Sequence, residues 1–218
     1  MNEAEWLRAA DPQPLLEYLG GRPGSERRVR YFACSVVRRV WHLLTEGDRR
    51  AVEVSEKYAD GRLGMAELDR AWRDRLHAMR SPDDSDDCLD YARYWAHDAV
   101  HWVACPSNYC AASAATSAAW AVVYASEDAS DVAWRREREA QAGLLRHVVG
   151  IPWRPFVGGA DWPQTILGLA EAQYRGDPVA FALHDALAEY GQVEFAAHFR
   201  EADHQKGCAW LDAILGRW

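Results

Sequence analysis

Apolar residues recur three and four positions apart along most of this chain, and sustained period-two alternation is absent. That spacing puts apolar side chains on one face of a helix. No Asn-Gly or Asp-Gly turn joins two alternating runs, so strand hairpins are not expected. The clearest helix is predicted from Ser25 to about Leu44. Val29, Phe32, Ala33, Val36, Val37, Val40, Leu43 and Leu44 form its apolar stripe. Arg27, Arg28, Arg30, Arg38 and Arg39 fall on the other side. Charge on an outer helix face needs no special cause, so a solvated basic face is expected rather than a phosphate-binding ridge.

Turn and cap residues punctuate the rest. Thr45 and Asp48 can form a capping box, and Gly61 ends the helix they begin. A second helix is predicted from Gly64 to about Met79. Ser81-Pro82-Asp83-Asp84 is a start signal, and Cys105-Pro106 is a stop. Ser107 or Asn108 then caps an Ala-rich helix reaching Tyr124. Asp128 and Ser130 are poor helix interiors, so the chain is expected to break before the helix that ends at Val149. The stretch "GIPWRPFVGGADW" is the longest Pro/Gly-rich loop. Beyond it, Asp161 is expected to cap a helix to Arg175, and Asp177-Pro178 one to Tyr190. Two short helices, near Glu194 to Ala202 and Gly207 to Leu215, complete the reading. The prediction is all-α: one irregular multi-helix bundle over 1–218, with about nine to eleven helices. The loop 150–161 is the candidate subdomain boundary.

Composition sharpens this picture. Hydrophobic residues make up 49% of the 218, enough to bury a core and too many for disorder. Eleven Trp predict an aromatic-rich core with indoles filling wide gaps between helices. The formal net charge of −8 argues against nucleic-acid and anionic-membrane partners. The charge is uneven: eight Arg face three acids between Arg22 and Arg50, and six Asp face one Arg between Asp83 and Asp98. No basic n-region followed by an apolar run opens the chain, and no apolar stretch is long enough to span a bilayer. A cytoplasmic location is therefore expected, where the five Cys would be reduced thiols.

Several stretches, matched in order, carry a family resemblance. Near the N-terminus they are "EAEWLRAADPQPLLEYL", "RVRYFACSVVRRVWHLL" and "RRAVEVSEKYADG". Near the C-terminus they are "EAQAGLLRHVVGIPWRPF", "ILGLAEAQY" and "HFREADHQKGCAWLDAILG". These resemble a family of all-helical bacterial proteins, present in many copies in some large genomes and without an assigned activity. The resemblance implies an all-helical fold and supplies no reaction, ligand or cofactor. The segment from Asp83 to Cys110 departs from it, being poorer in Ala and richer in Asp, His and Cys.

Two constellations carry candidate chemistry. Asp90, Tyr94, His97, His101 and Cys105 share a helical stripe about 80° wide. His97 and His101, one turn apart, can share a metal ion, with Asp90 or Cys105 as a third ligand; zinc suits such a set. The plain alternative is a polar helix face that collects Asp and His. The second lies in "AAHFREADHQKGCAWLDAILG". There Cys208 is a candidate nucleophile at a helix start, with His204 or His198 as its base. The same His198, His204 and Cys208 could instead bind a metal, or Cys208 could be a small buried core residue. His42, His77, His147 and His184 look isolated. Asp69, Asp74, Glu137 and Glu139 read as solvated.

No nucleotide- or cofactor-binding motif is present, so no cofactor is expected beyond zinc. The expected function is a non-catalytic binding or regulatory module, with a protein as its partner. The alternative is a small metal- or thiol-dependent enzyme using His97/His101 or Cys208/His204.

Overall fold

Small residues set the packing of this protein. In a computed structural model, the chain is described except at positions 21, 23, 79–86, 108, 109, 127–129, 155–160, 201–203, 205 and 218. The described residues form twelve α-helices and one short 3-10 turn, with no strand. They fall into two compact units, Met1–Arg146 and His147–Trp218.

The first unit opens with α1 (Glu3–Arg8) and α2 (Pro12–Leu19). Asn2 and Glu5 form a capping box on α1, and the Asp11 side chain accepts from the Gln13 amide at the start of α2. The helix α3 (Glu26–Arg38) follows, ending earlier than its apolar stripe predicts. Val40 leaves the helical conformation, and Trp41–Leu43 wind into the 3-10 turn. Thr45 and Asp48 form the expected capping box on α4 (Glu46–Ala59). Next come α5 (Met65–Ala78), α6 (Cys88–Ala104), α7 (Ala111–Ala125) and α8 (Asp131–Val149), the last crossing into the second unit. The helix α6 begins at Asp87, whose side chain accepts from the Leu89 amide; the Ser81-Pro82-Asp83-Asp84 signal lies outside the described residues. A break separates α7 from α8, as Asp128 and Ser130 imply.

The helices α6 and α7 pack along much of their length. Ala92, Ala96, Ala99 and Ala104 of α6 and Ala111, Ala114, Ala115, Ala118 and Ala121 of α7 are all buried. Helices packed through Ala approach closely and leave no room for indoles. The expected aromatic enrichment is present as clusters of rings beside these Ala-lined helices. Among the described Trp, only Trp6 is fully buried. Others lie half-buried over the margins: Trp120 meets Trp134 at 4.6 Å between ring centroids, and Trp95 and Tyr124 lie beside it. There each ring covers apolar surface while its N–H can reach a partner.

The basic face of α3 is not simply solvated either. Arg30 is buried, donating from Nη1 to the carbonyls of Val103 (3.2 Å) and Cys105 (3.1 Å) and from Nη2 to that of Pro106 (3.3 Å). Carbonyls at the end of α6 lack helical donors, and the guanidinium supplies them. Arg38 pairs with Glu56 at 2.6 Å. Arg39 holds Glu137 with two hydrogen bonds of 2.8 and 2.7 Å. Glu137, expected in solvent, is buried, and Gln141 also donates to it. The arginines of α3 thus bind this unit together.

The second unit contains α9 (Gln164–Arg175), α10 (Ala180–Glu189), α11 (Val193–His198) and α12 (Ala209–Leu215). Pro163, rather than Asp161, occupies the N-cap of α9, and Gly176 ends that helix at φ 100°. The helix α10 packs on α9 and α11, and α12 packs on α9. Ile166, Tyr174, Leu183, Leu187, Phe199, Leu211 and Ile214 form the core. Arg217 closes the end of the unit, holding both Glu171 oxygens at 2.8 and 2.9 Å over the Tyr174 ring.

Candidate metal centre

Among the described residues, one group of three or more His, Cys, Asp or Glu has donor atoms placed to share an ion: His147, His198, His204 and Cys208. One donor atom from each lies within 4.8 Å of the others. All four belong to the second unit. His147 is in the last turn of α8, His198 is the last residue of α11, His204 lies between α11 and α12, and Cys208 is the N-cap of α12. Gly207, at φ 81°, lets the chain turn sharply before Cys208. His204 and Cys208 therefore meet across a turn, not along one helix.

The rings are tightly grouped. Centroids lie 4.7 Å apart for His198 and His204, 5.0 Å for His147 and His198, and 5.4 Å for His147 and His204. His198 Nε2 is 3.2 Å from Cys208 Sγ. Trp210 stacks on His198 at 5.0 Å, and Phe199 packs against His204 at 4.7 Å. Aromatic walls thus hold the imidazoles in place and exclude water. His204 and Cys208 are buried, and the other two are half-buried.

Burial dictates the protonation of the group. It lowers the His147 pKa to about 4, helped by His204. It lowers that of His198 to about 2, helped by His147 and His204. Both imidazoles are therefore neutral at pH 7, the state in which they coordinate metals. Burial pushes the Cys208 thiol up to about 12, against the pull of the Leu211 and Trp210 backbone N–H groups; the Asp212 charge adds to the rise. His147 Nε2 is buried with no hydrogen-bond partner among the described residues. An orphaned buried nitrogen costs about 1–3 kcal/mol unless something binds it.

These facts weigh against the Cys208 nucleophile. The distance to His198 is right for a thiol–imidazole pair, but the charges are not. The sulfur is fully buried, its proton is held to about 12, and His198 cannot keep a proton at neutral pH. A nucleophile needs an accessible thiolate.

The stripe on α6 is not gathered into a site. His97 Nδ1 meets Asp48 Oδ1 at 2.7 Å. Asp48 also accepts from Arg75 at 3.2 Å and from the Thr45 amide at 2.9 Å. His101 Nε2 accepts from Trp72 Nε1 at 3.2 Å. Asp90 pairs with Arg93 near the surface, and Cys105 meets Cys110. One helical turn aligns His97 and His101, yet His97 reaches α4 and His101 reaches α5. Each has a partner of its own, His101 through Nε2 while its Nδ1 is buried with no hydrogen-bond partner among the described residues, and the stripe's described donors do not converge on one point.

His147 is the residue that sequence reading missed. It sits far along the chain from His198, and "LLRHVVG" carries no ligand spacing. Only the fold brings it to the others.

Comparisons with protein-family models, with curated proteins and with solved structures each find no match. The class that fold and site define is therefore an all-α protein with a candidate His3Cys centre. No helix among the described residues is long and apolar enough to cross a membrane.

Proposed function

We propose that this chain is a non-catalytic metal-binding module, whose second unit is organised by one zinc ion held by His147, His198, His204 and Cys208. The observation that carries this reading is the convergence of three imidazoles and one thiol within 4.8 Å. Mixed nitrogen and thiolate donors suit zinc, and four protein donors complete a tetrahedron. A completed tetrahedron leaves no open position for substrate, which is the pattern of structural centres. The ion would bind the orphaned His147 Nε2 and take the place of the thiol proton. It would also tie the end of α8 to α11 and α12, in a unit too small to bury a large core by itself.

The test is elemental analysis of protein prepared without a polyhistidine tag, followed by thermal melting with and without a chelator. About one zinc per chain and a lower melting temperature after chelation are expected. Metal-free protein whose melting does not respond to added zinc overturns the reading. Against the catalytic alternative stand the burial of the Cys208 thiol and the separate partners of His97 and His101.

A further inference from the structure

Cys105 and Cys110 are set apart from the other thiols. Cys105 is the C-cap of α6 and Cys110 the N-cap of α7, so the pair joins the ends of the two closely packed helices. The Cys110 thiol donates to Cys105 Sγ, and the sulfurs are 2.6 Å apart. Both are nearly buried, at 9% exposure each, whereas Cys34 and Cys208 are more deeply enclosed and Cys88 is exposed. The backbone around Cys105 is anchored by the Arg30 guanidinium through the carbonyls of Val103, Cys105 and Pro106. Two sulfurs already this close, on an anchored corner, can bond with little movement of the backbone.

We propose that Cys105 and Cys110 form a dithiol site for reversible oxidation to an intramolecular disulfide, with a low-molecular-weight disulfide such as glutathione disulfide as the oxidant. The Cys105 thiolate attacks one glutathione sulfur, forms a mixed disulfide and releases one glutathione thiolate. Cys110 then gives up its proton, attacks the Cys105 sulfur and expels the second glutathione. The protein loses two electrons and two protons, and glutathione disulfide gains them as two thiols. The Cys110 thiol donates its proton toward Cys105 Sγ, so Cys105 is placed to attack first and Cys110 acts second. This site is independent of the metal centre, and the bond would join α6 and α7 covalently.

Protein digestion gives a direct readout. The tryptic peptide from Tyr94 to Arg135 contains Cys105 and Cys110 and no other Cys. The folded, reduced chain is incubated with glutathione disulfide, quenched in acid, unfolded, alkylated and digested. Expected is a Tyr94–Arg135 peptide that carries no alkyl group and is lighter by two hydrogens, restored by a phosphine reductant. The Cys88→Ser variant gives the same product, and Cys110→Ser traps glutathione on Cys105. The proposal is overturned if that peptide takes up two alkyl groups while Cys88 takes glutathione. It is equally overturned if the unsubstituted chain stops at a stable mixed disulfide.

Discussion

His198 Nε2 stands 3.2 Å from Cys208 Sγ, at the end of α11 and the start of α12. With the thiol raised to about 12 and the imidazole lowered to about 2, the contact holds a thiol proton at neutral pH and not an ion pair. A zinc ion at this place must displace that proton. Binding at pH 7 should therefore release about one proton from the sulfur, with none from His147 or His198, which are already neutral. Calorimetry in buffers of different ionisation enthalpy measures the number. A value near zero would mean that the sulfur does not coordinate.

Removing one donor should separate metal loss from fold loss. Cys208→Ala and His147→Gln should each weaken zinc binding by more than roughly 100-fold, beyond what outer-shell changes cost. Their melting temperatures should approach that of the chelated parent protein. Competition against a colourimetric chelator gives the affinities. Parent-like affinity in His147→Gln would remove this residue from the centre.

Asp48 is fully buried between His97, Arg75 and Thr45. Asp48→Asn should cost about 3 kcal/mol, because it leaves the half-buried Arg75 guanidinium without its carboxylate partner. Urea unfolding checks this, and a loss under 1 kcal/mol would refute it.

The same residue sets an acid limb. Burial would raise the Asp48 pKa, but hydrogen bonds from His97 and Thr45 and the His97 charge win and lower it from 3.8. The folded state then binds this proton less readily than the unfolded state. The stability it contributes is present above 3.8 and is lost as pH falls through the lowered folded value. The stability difference between parent and Asp48→Asn should narrow below pH 3.8. A difference that stays constant down to pH 2.5 would contradict this.

Arg30→Met keeps the side-chain volume but removes the Arg30 donors to the Cys105 and Pro106 carbonyls and one of two donors to Val103, which Ser55 also serves at 3.0 Å. Unsatisfied buried acceptors cost about 1–3 kcal/mol each, and neighbouring losses overlap, so a total of about 3 kcal/mol is expected. Hydrogen exchange should rise first at the end of α6. Unchanged exchange there would show that the carbonyls do not depend on Arg30.

Helix identity was legible because apolar spacing and caps are local. Thr45 with Asp48 and Gly61 marked helix ends that the structure keeps. Side-chain destinations were not legible. Arg30 and Arg39 sit on the polar side of α3, and spacing cannot distinguish solvent from a buried carbonyl or a buried Glu137. The aromatic clusters were legible in the Trp count, but which rings meet, such as Trp120 with Trp134, was set by packing. At the centre, the cluster of His198, His204 and Cys208 was visible as local density. Its electrostatics and its fourth donor, His147, were set by tertiary burial.

The order of the four donors along the chain sets an order of assembly. His198, His204 and Cys208 lie within one short stretch, so an unfolded chain can wrap them around an ion at little entropic cost. His147 is separated from them by α9 and α10 and must close a far longer loop. The proposed ion would therefore be captured loosely by three donors before the second unit has folded. Closing on His147 would then convert a labile chelate into a cross-link, so that capture of the ion and completion of the fold would become one event.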